Sequence, residues 1–122
     1  MQLINFSRNI SLNVIIKYHD KAVGTISFNN IDKKNRIADI GYWLSPIFEH
    51  QGIMARSLNA MCKIGFIEYN LNKIIINAVI DNDKSNQVAK KAGFHLDGTF
   101  RDQELLSDGF HDENQWSLLK RE

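Results

Sequence analysis

The chain has 122 residues, of which 43% are hydrophobic and 24% are charged, and its formal net charge is +1. This composition is typical of one soluble globular domain spanning residues 1–122, and the interleaved acids and bases exclude the basic cluster of a nucleic-acid-binding protein. No apolar stretch approaches the ~20 residues that cross a bilayer, and the N-terminus has no signal-peptide pattern, so we expect a cytoplasmic protein without nucleic-acid or membrane partners.

The first half of the chain predicts three strands followed by a helix. Two segments rich in β-branched residues, Leu12–Tyr18 and Ala22–Asn29, flank a polar turn and predict an antiparallel hairpin. Ile37–Leu44 predicts a third strand, which Pro46 ends. Apolar residues at helical spacing then predict a helix over Ile53–Tyr69.

The second half of the chain predicts one more helix between strands. Lys73–Ile80 is almost wholly apolar, as in a strand covered on both faces. Asp83–Ala92 predicts a helix with Asn82 or Asp83 as its N-cap. Phe94–Phe100 and Phe110–Lys120 predict the last two strands, with an Asp-Gly turn before the second. The order β-β-β-α-β-α-β-β indicates an α/β protein with a mixed sheet and helices in the crossovers between strands.

The single cysteine, Cys62, excludes an internal disulfide and fits a reducing compartment. Its apolar helical neighbours favour a small core residue over a nucleophile. No group of histidines and cysteines has metal-ligand spacing, so we expect no metal site.

The segment between the third strand and the first helix is the most informative. Gly52 opens the helix, so the backbone N–H groups of Gln51–Ala55 point to one place in front of a helix N-terminus. These groups lack helical partners and the helix dipole is positive there, which suits an anionic phosphate. Glycine lets the backbone approach such a ligand closely.

Four motifs in this order resemble the GNAT superfamily of acetyl-CoA-dependent N-acetyltransferases. The resemblance covers Val14 to Leu119. Within the superfamily, the chain resembles more specifically the group that acetylates the N-terminal alanine or serine of ribosomal proteins. The motifs are Ile40-Gly41-Tyr42-Trp43-Leu44, Glu49-His50-Gln51-Gly52-Ile53-Met54-Ala55, Asn82-x-x-Ser85-x-x-Val88-Ala89-x-x-x-Gly93-Phe94, and Asp108-Gly109-Phe110-x-Asp112 followed by Trp116-Ser117-Leu118-Leu119.

The resemblance implies a GNAT-like fold with acetyl-CoA as cosubstrate. It implies that the central strand splays from its neighbour and that its main chain pairs with the pantetheine arm. The implied cofactor-binding residues are Ile40, Gly41 and Tyr42 on the strand, Gln51, Gly52, Ile53, Met54, Ala55 and Arg56 around the pyrophosphate, and Asn82, Asn86 and Lys91 on the second helix. For Arg56 and Lys91 the alternative is a solvated helix surface, and Asn82 also serves as an N-cap.

The resemblance also implies the catalytic groups. Ser85 matches the candidate general acid that protonates the departing CoA thiolate, although it can equally be a plain first-turn serine. An attacking amine must first lose a proton, and Glu104, placed just beyond the Phe94–Phe100 strand, is the candidate base. An ordinary loop glutamate is the alternative, and His111 and His95 are rivals because histidine titrates in the useful range.

The chain departs from the family's pattern before its first hairpin. Family members usually carry a strand and two helices there, which form one wall of the acceptor site, whereas only residues 1–11 precede the hairpin here. We expect the sheet surface left uncovered to favour a homodimer. The leading hypothesis is acetyl transfer to a primary amine, either a protein N-terminus or a small molecule. The alternative is a CoA-binding module that is catalytically inactive or depends on a partner.

Overall fold

A computed structural model describes residues 2–5 and 9–122 of the chain. Within these residues, seven strands form one sheet in the order β1-β2-β3-β4-β5-β7-β6. The strands are β1 (Gln2–Asn5), β2 (Asn9–Tyr18), β3 (Lys21–Asp32), β4 (Ile37–Leu44), β5 (Lys73–Val79), β6 (His95–Leu106) and β7 (Gly109–Leu119). The helices are α1 (Ile53–Ile67) and α2 (Asp83–Lys91), and a short 3-10 turn spans Pro46–Phe48. The predicted mixed sheet with helices in its crossovers is confirmed.

The N-terminal region contains more strand than the sequence predicted. β2 begins at Asn9 rather than Leu12, and Gln2–Asn5 adds a strand antiparallel to it. Residues 1 and 6–8 lie outside the described residues. The predicted hairpin of β2 and β3 is confirmed, and its two-residue turn has positive φ at His19 (50°) and Asp20 (64°), which matches the right-handed twist of the strands.

Strand β6 is the largest difference from the predicted elements. It runs to Leu106 instead of ending at Phe100, so Glu104 lies within a strand and not in a loop beyond it. The polar run after Phe100 carries no alternating pattern because β6 is an edge strand whose residues are almost all exposed. A register shift between Phe100 and Glu104 adds a bulge to this strand.

The core lies between one face of the sheet and the two helices. Helix α1 comes close to the sheet at Gly65, where a Cβ atom would lie 2.8 Å from the Phe28 ring and 3.1 Å from Ile74. The largest fully buried side chains are Leu12, Val23, Ile26, Phe28, Ile31, Leu58, Leu71, Ile74 and Ile76. Cys62 is buried among them, and burial raises the pKa of its thiol to about 12. The prediction of a core cysteine is confirmed.

The residues of β4 alternate between the two faces of the sheet. Ala38 and Ile40 belong to the core, and Tyr42 packs against it, so these three residues face the helices. Gly41 and Trp43 lie on the opposite face, and Trp43 is 59% exposed. The expectation that one of the two neighbouring aromatic residues packs in the core is therefore confirmed for Tyr42.

Candidate active site

The sheet opens between β4 and β5. These parallel strands pair over three positions, the last of which joins Asp39 to Ile75. Beyond that point β4 stays paired with β3 up to Leu44, and β5 stays paired with β7 up to Val79. A cleft therefore separates residues 40–44 from residues 76–79, and we call it the β4–β5 cleft. Alternate residues of β4 direct their backbone N–H and C=O groups into it.

The loop that leaves β4 brings free backbone amides to this cleft. Gly52 is the N-cap of α1 in the left-handed conformation (φ 74°) and gives no side-chain cap. The first helical bond runs from the Arg56 N–H to the Gly52 carbonyl (3.1 Å). Among the described residues, the N–H groups of Gln51–Ala55 find no acceptor. This geometry meets the requirement of the predicted phosphate site.

Two cations stand beside these amides. Arg56 turns back over the loop, where its Nη1 donates to the Gln51 carbonyl at 3.3 Å. Lys84 Nζ on α2 pairs with Glu49 Oε2 at 2.9 Å and so links the two helix N-termini. Sequence analysis missed Lys84, because its role depends on how α2 approaches the loop. An exposed pair of this kind contributes only about 0–1 kcal/mol, so Lys84 is available to an incoming anion.

Helix α2 begins at the cleft with a side-chain cap. Asn82 is the N-cap, and its Oδ1 accepts a hydrogen bond from the Ser85 N–H at 3.2 Å. This confirms the capping role predicted for Asn82. Ser85 is the third residue of α2 and is half-buried. Lys91 is exposed in the last turn, about 9 Å further along the helix axis than Ser85, where a cation complements the dipole. The solvated alternative suits its position.

Asn86 serves a different purpose from the one predicted. Its Nδ2 donates to the carbonyls of Val79 (3.0 Å) and Asn82 (2.9 Å). Its Oδ1 accepts from Asn114 Nδ2 (2.9 Å) and Trp116 Nε1 (2.8 Å). These four bonds use the full capacity of an amide side chain. The Asn86 side chain thus fastens α2 to β5 and β7, and its contact with CoA stays a prediction.

Tyr42 carries an unexpected group at the cleft. The Tyr42 hydroxyl is buried and has no hydrogen-bond partner among the described residues. Burial raises the pKa of this phenol, and the Ser85 side chain offsets part of the rise. The two hydroxyls thus lie close together, although they do not form a hydrogen bond of acceptable geometry. The sequence resemblance assigned only the backbone of Tyr42.

Glu104 has a second carboxylate beside it. In the hairpin of β6 and β7, Glu104 lies opposite His111 and Phe100 lies opposite Glu113. The bulge between those pairs brings the two glutamates together. Burial, then the neighbouring Glu104, raises the pKa of Glu113 to about 7. Glu113 also pairs with Val79 at the end of β5, so the carboxyl pair lies at the mouth of the cleft.

The two rival histidines are engaged elsewhere. His111 Nε2 is 2.6 Å from Asp108 Oδ1, and its Nδ1 is 3.7 Å from Asp81 Oδ2. The Asp108 carboxylate raises the pKa of His111, which favours the protonated ring and weakens it as a base. His95 points outward, as expected, and its Nε2 lies 2.8 Å from Glu122 Oε2. Both rival histidines are therefore engaged by carboxylates, and the assignment of Glu104 as the base stays a prediction.

Two negative findings apply to the described residues 2–5 and 9–122. These residues contain no cluster of three or more histidine, cysteine, aspartate or glutamate side chains that could bind a metal ion. Neither α1 nor α2 has the length and apolar character that crossing a bilayer demands.

Comparison with known proteins gives a consistent family. Residues 2–95 match the family model described as an acetyltransferase (GNAT) domain. A curated relative, the ribosomal-protein-serine acetyltransferase of Escherichia coli, is 38% identical over 100 residues, which are 82% of this chain and 56% of the relative.

Solved structures agree with this assignment. RimL, a ribosomal-protein alpha-N-acetyltransferase in complex with coenzyme A, superposes with a TM-score of 0.86 at 33% identity, covering 89% of this chain and 62% of RimL. The microcin self-immunity acetyltransferase MccE, in complex with acetyl-CoA and AMP, gives 0.84 at 34% identity, covering 89% and 61%. The chain spans less than two thirds of the length of each of these proteins. With its splayed sheet and its matching sequence, the chain belongs to the GNAT acetyltransferase family.

Proposed function

We propose that this chain transfers an acetyl group from acetyl-CoA to a primary amine. The observation that carries the proposal is the β4–β5 cleft with the free amides of Gln51–Ala55 at its edge. An anion at the amides and an extended arm in the cleft are both features of a CoA ester. The relatives crystallised with coenzyme A and acetyl-CoA share this fold.

The proposed binding mode divides the cosubstrate between backbone and side chains. The amides of Gln51–Ala55 hold the pyrophosphate, with Arg56 and Lys84 as neighbouring cations. The main chain of Ile40–Tyr42 pairs with the pantetheine arm in place of the missing β5 partner. Asn82 caps α2 three residues after β5 ends, and its exposed side chain contacts the pantetheine arm in this binding mode.

The proposed base is the Glu104–Glu113 pair. Glu113 repels a second negative charge, so the last proton of the pair leaves near pH 7 and the pair is a stronger base than an isolated carboxylate. It takes a proton from the ammonium form of the acceptor. The nitrogen lone pair then attacks the thioester carbonyl. When the tetrahedral intermediate collapses, the carbon–sulfur bond breaks and its electron pair leaves on sulfur. The nitrogen gives up its second proton, and the thiolate is protonated through the Ser85 hydroxyl. A backbone N–H of β4 near Tyr42 stabilises the oxyanion.

The acceptor has room beside the carboxyl pair. A shallow open depression at the β6 bulge is lined by residues 100–103 and by Asp112. Asp102 and Asp112 give this depression two acidic groups against the single cation Arg101, and this balance favours an ammonium ion. The acceptor is a protein N-terminus or a small amine. The ribosomal substrate named for the relatives is one candidate.

We also propose a homodimer in the cytoplasm. Leu105 and Phe110 are directly opposed near the tip of the β6–β7 hairpin, and these residues are 65% and 63% exposed. Burying this apolar pair favours self-association. Sedimentation equilibrium tests it: Leu105→Lys is expected to shift the chain to a monomer, and a wild-type chain that stays monomeric at high concentration contradicts it.

The activity is tested by free-thiol release from acetyl-CoA with a panel of amines, including peptides with N-terminal serine or alanine and polyamines. Glu104→Gln is expected to lower kcat at least about 100-fold while leaving CoA affinity intact, because a positioned base contributes about 10²–10⁴-fold. Glu68→Gln, an exposed carboxylate at the end of α1, is the matched control. CoA binding without turnover on any amine supports the alternative, a CoA-binding module that is inactive or needs a partner.

A further inference from the structure

We propose that the Tyr42 hydroxyl donates a hydrogen bond to the sulfur atom of the bound CoA ester, next to Ser85. Tyr42 is then a catalytic residue through its side chain, which stabilises the departing thiolate. This inference rests on the proposed acetyl transfer and adds to it a group that the family motifs do not assign.

The first support is the state of the hydroxyl itself. Folded proteins rarely leave a buried polar group without a partner, because each such group costs about 1–3 kcal/mol. Within the described chain the Tyr42 hydroxyl is the one buried side-chain polar atom in this state. A group that is costly in the free protein and satisfied by a ligand is what a binding site requires.

The second support is its position. Tyr42 lies on β4 beyond Asp39, the last residue of that strand to pair with β5. Its side chain faces the helices, on the same side of the sheet as α2. The hydroxyl therefore reaches toward the first turn of α2 across the cleft, and the pantetheine arm is proposed to end there.

The third support is the convergence with Ser85. The Ser85 N–H is used by the Asn82 cap, but its hydroxyl makes no hydrogen bond to any described residue. It lies close enough to Tyr42 to lower the pKa of the phenol. The two hydroxyls thus lie side by side, and the Tyr42 hydroxyl has no hydrogen bond of acceptable geometry among the described residues. A single large acceptor that bears two lone pairs, such as a thiolate sulfur, satisfies both.

The role is hydrogen-bond donation and not proton transfer. A CoA thiol has an ordinary pKa of about 8.5, and a phenol has one of about 10. Burial raises the Tyr42 value further. The proton therefore stays on the tyrosine oxygen, which donates a charge-assisted hydrogen bond to the thiolate sulfur. No bond to Tyr42 is made or broken.

The test compares CoA with desulfo-CoA, which lacks the sulfur atom, by calorimetry at pH 9, where the thiolate dominates. The wild-type chain is expected to prefer CoA. In Tyr42→Phe this preference should fall about tenfold, the equivalent of one hydrogen bond worth about 1.4 kcal/mol, with desulfo-CoA affinity unchanged. Tyr69→Phe removes the same atom at the far end of α1 and should leave the preference intact.

Each outcome decides between the assignments. An unchanged preference in Tyr42→Phe overturns the role of Tyr42 while the proposed function stands. An equal loss of affinity for both ligands places the hydroxyl on another part of the arm and also overturns the sulfur assignment. If the wild-type chain binds neither ligand, the proposed function itself fails.

A second measurement keeps the proposal testable should Tyr42→Phe unfold. Removing an unpartnered buried hydroxyl should leave Tm unchanged or raised, so unfolding would itself indicate a protein partner and count against the proposal. In the wild-type chain, the ring carbon that bears the Tyr42 oxygen can be followed by NMR in 13C-labelled protein. Its resonance should shift more with CoA than with desulfo-CoA, and equal shifts contradict the proposal.

Discussion

Replacing Glu113 by Gln removes one carboxyl group of the Glu104–Glu113 pair and leaves the shape of the side chain nearly the same. The pKa of Glu113 rises from its ordinary 4.5 to about 7 in the folded chain, first through burial and then through Glu104. Because the folded value is the higher one, the folded state holds this proton more tightly than the unfolded state. The stabilisation is complete below pH 4.5 and is lost as the pH rises through 7.

The size of the effect follows from the same shift. One pKa unit is equivalent to about 1.4 kcal/mol, so the full shift sets an upper limit of about 3 kcal/mol. The Glu113 side chain is partly exposed, and solvent screening reduces such contributions. We expect the free energy of unfolding of the wild type, relative to Glu113→Gln, to fall by about 1 kcal/mol between pH 5 and pH 9.

Urea unfolding at pH 5, 7 and 9 measures this difference without any ligand. Glu68→Gln is the matched control, and its difference from the wild type should not change with pH in the same way. A constant difference between Glu113→Gln and the wild type across this range would refute the carboxyl pair. In the enzyme assay, the same variant should shift the acid limb of the pH–rate profile below 7 and lower the maximum roughly tenfold, because the remaining carboxylate is a weaker base.

Two further variants test the cofactor loop and the helix anchor. Gly52→Val forces a β-branched residue into a left-handed conformation (φ 74°) and covers the free amides, so calorimetry should show that CoA binding is lost. The control Gly98→Val has open space around its Cβ position and should bind CoA normally. Retained micromolar affinity in Gly52→Val would contradict the loop assignment. Asn86→Ala removes the partner of the part-buried Trp116 N–H and one partner of the Val79 carbonyl, so urea unfolding should show a loss of about 2 kcal/mol. The exposed Asn77→Ala is its control, and equal losses in the two variants would contradict the anchoring role.

Local sequence signals predicted the parts of the site that are themselves local. The free amides around Gly52, the helix that follows it and the Asn82 cap each depend on a few neighbouring residues. The apolar run of β5 and the hairpin of β2 and β3 were equally readable, because their patterns reflect burial and a short turn.

The remaining features depend on contacts between distant segments. The cleft follows from where the β4–β5 register stops, which no single strand encodes. Asn86 bonds to Asn114 and Trp116, nearly thirty residues further along the chain. Glu113 meets Glu104 only because β6 is bulged. The predicted strand ends before the observed β6 because an exposed edge strand has no buried face to impose an alternating pattern.

The central claim is that the amides at the start of α1 hold the pyrophosphate of CoA. Titrating 15N-labelled chain with CoA and following the backbone amide resonances tests it directly. The account predicts that the largest shifts fall on Gln51–Ala55, with smaller ones along Ile40–Tyr42. Binding that leaves those five amides unmoved, or no binding at all, would contradict it.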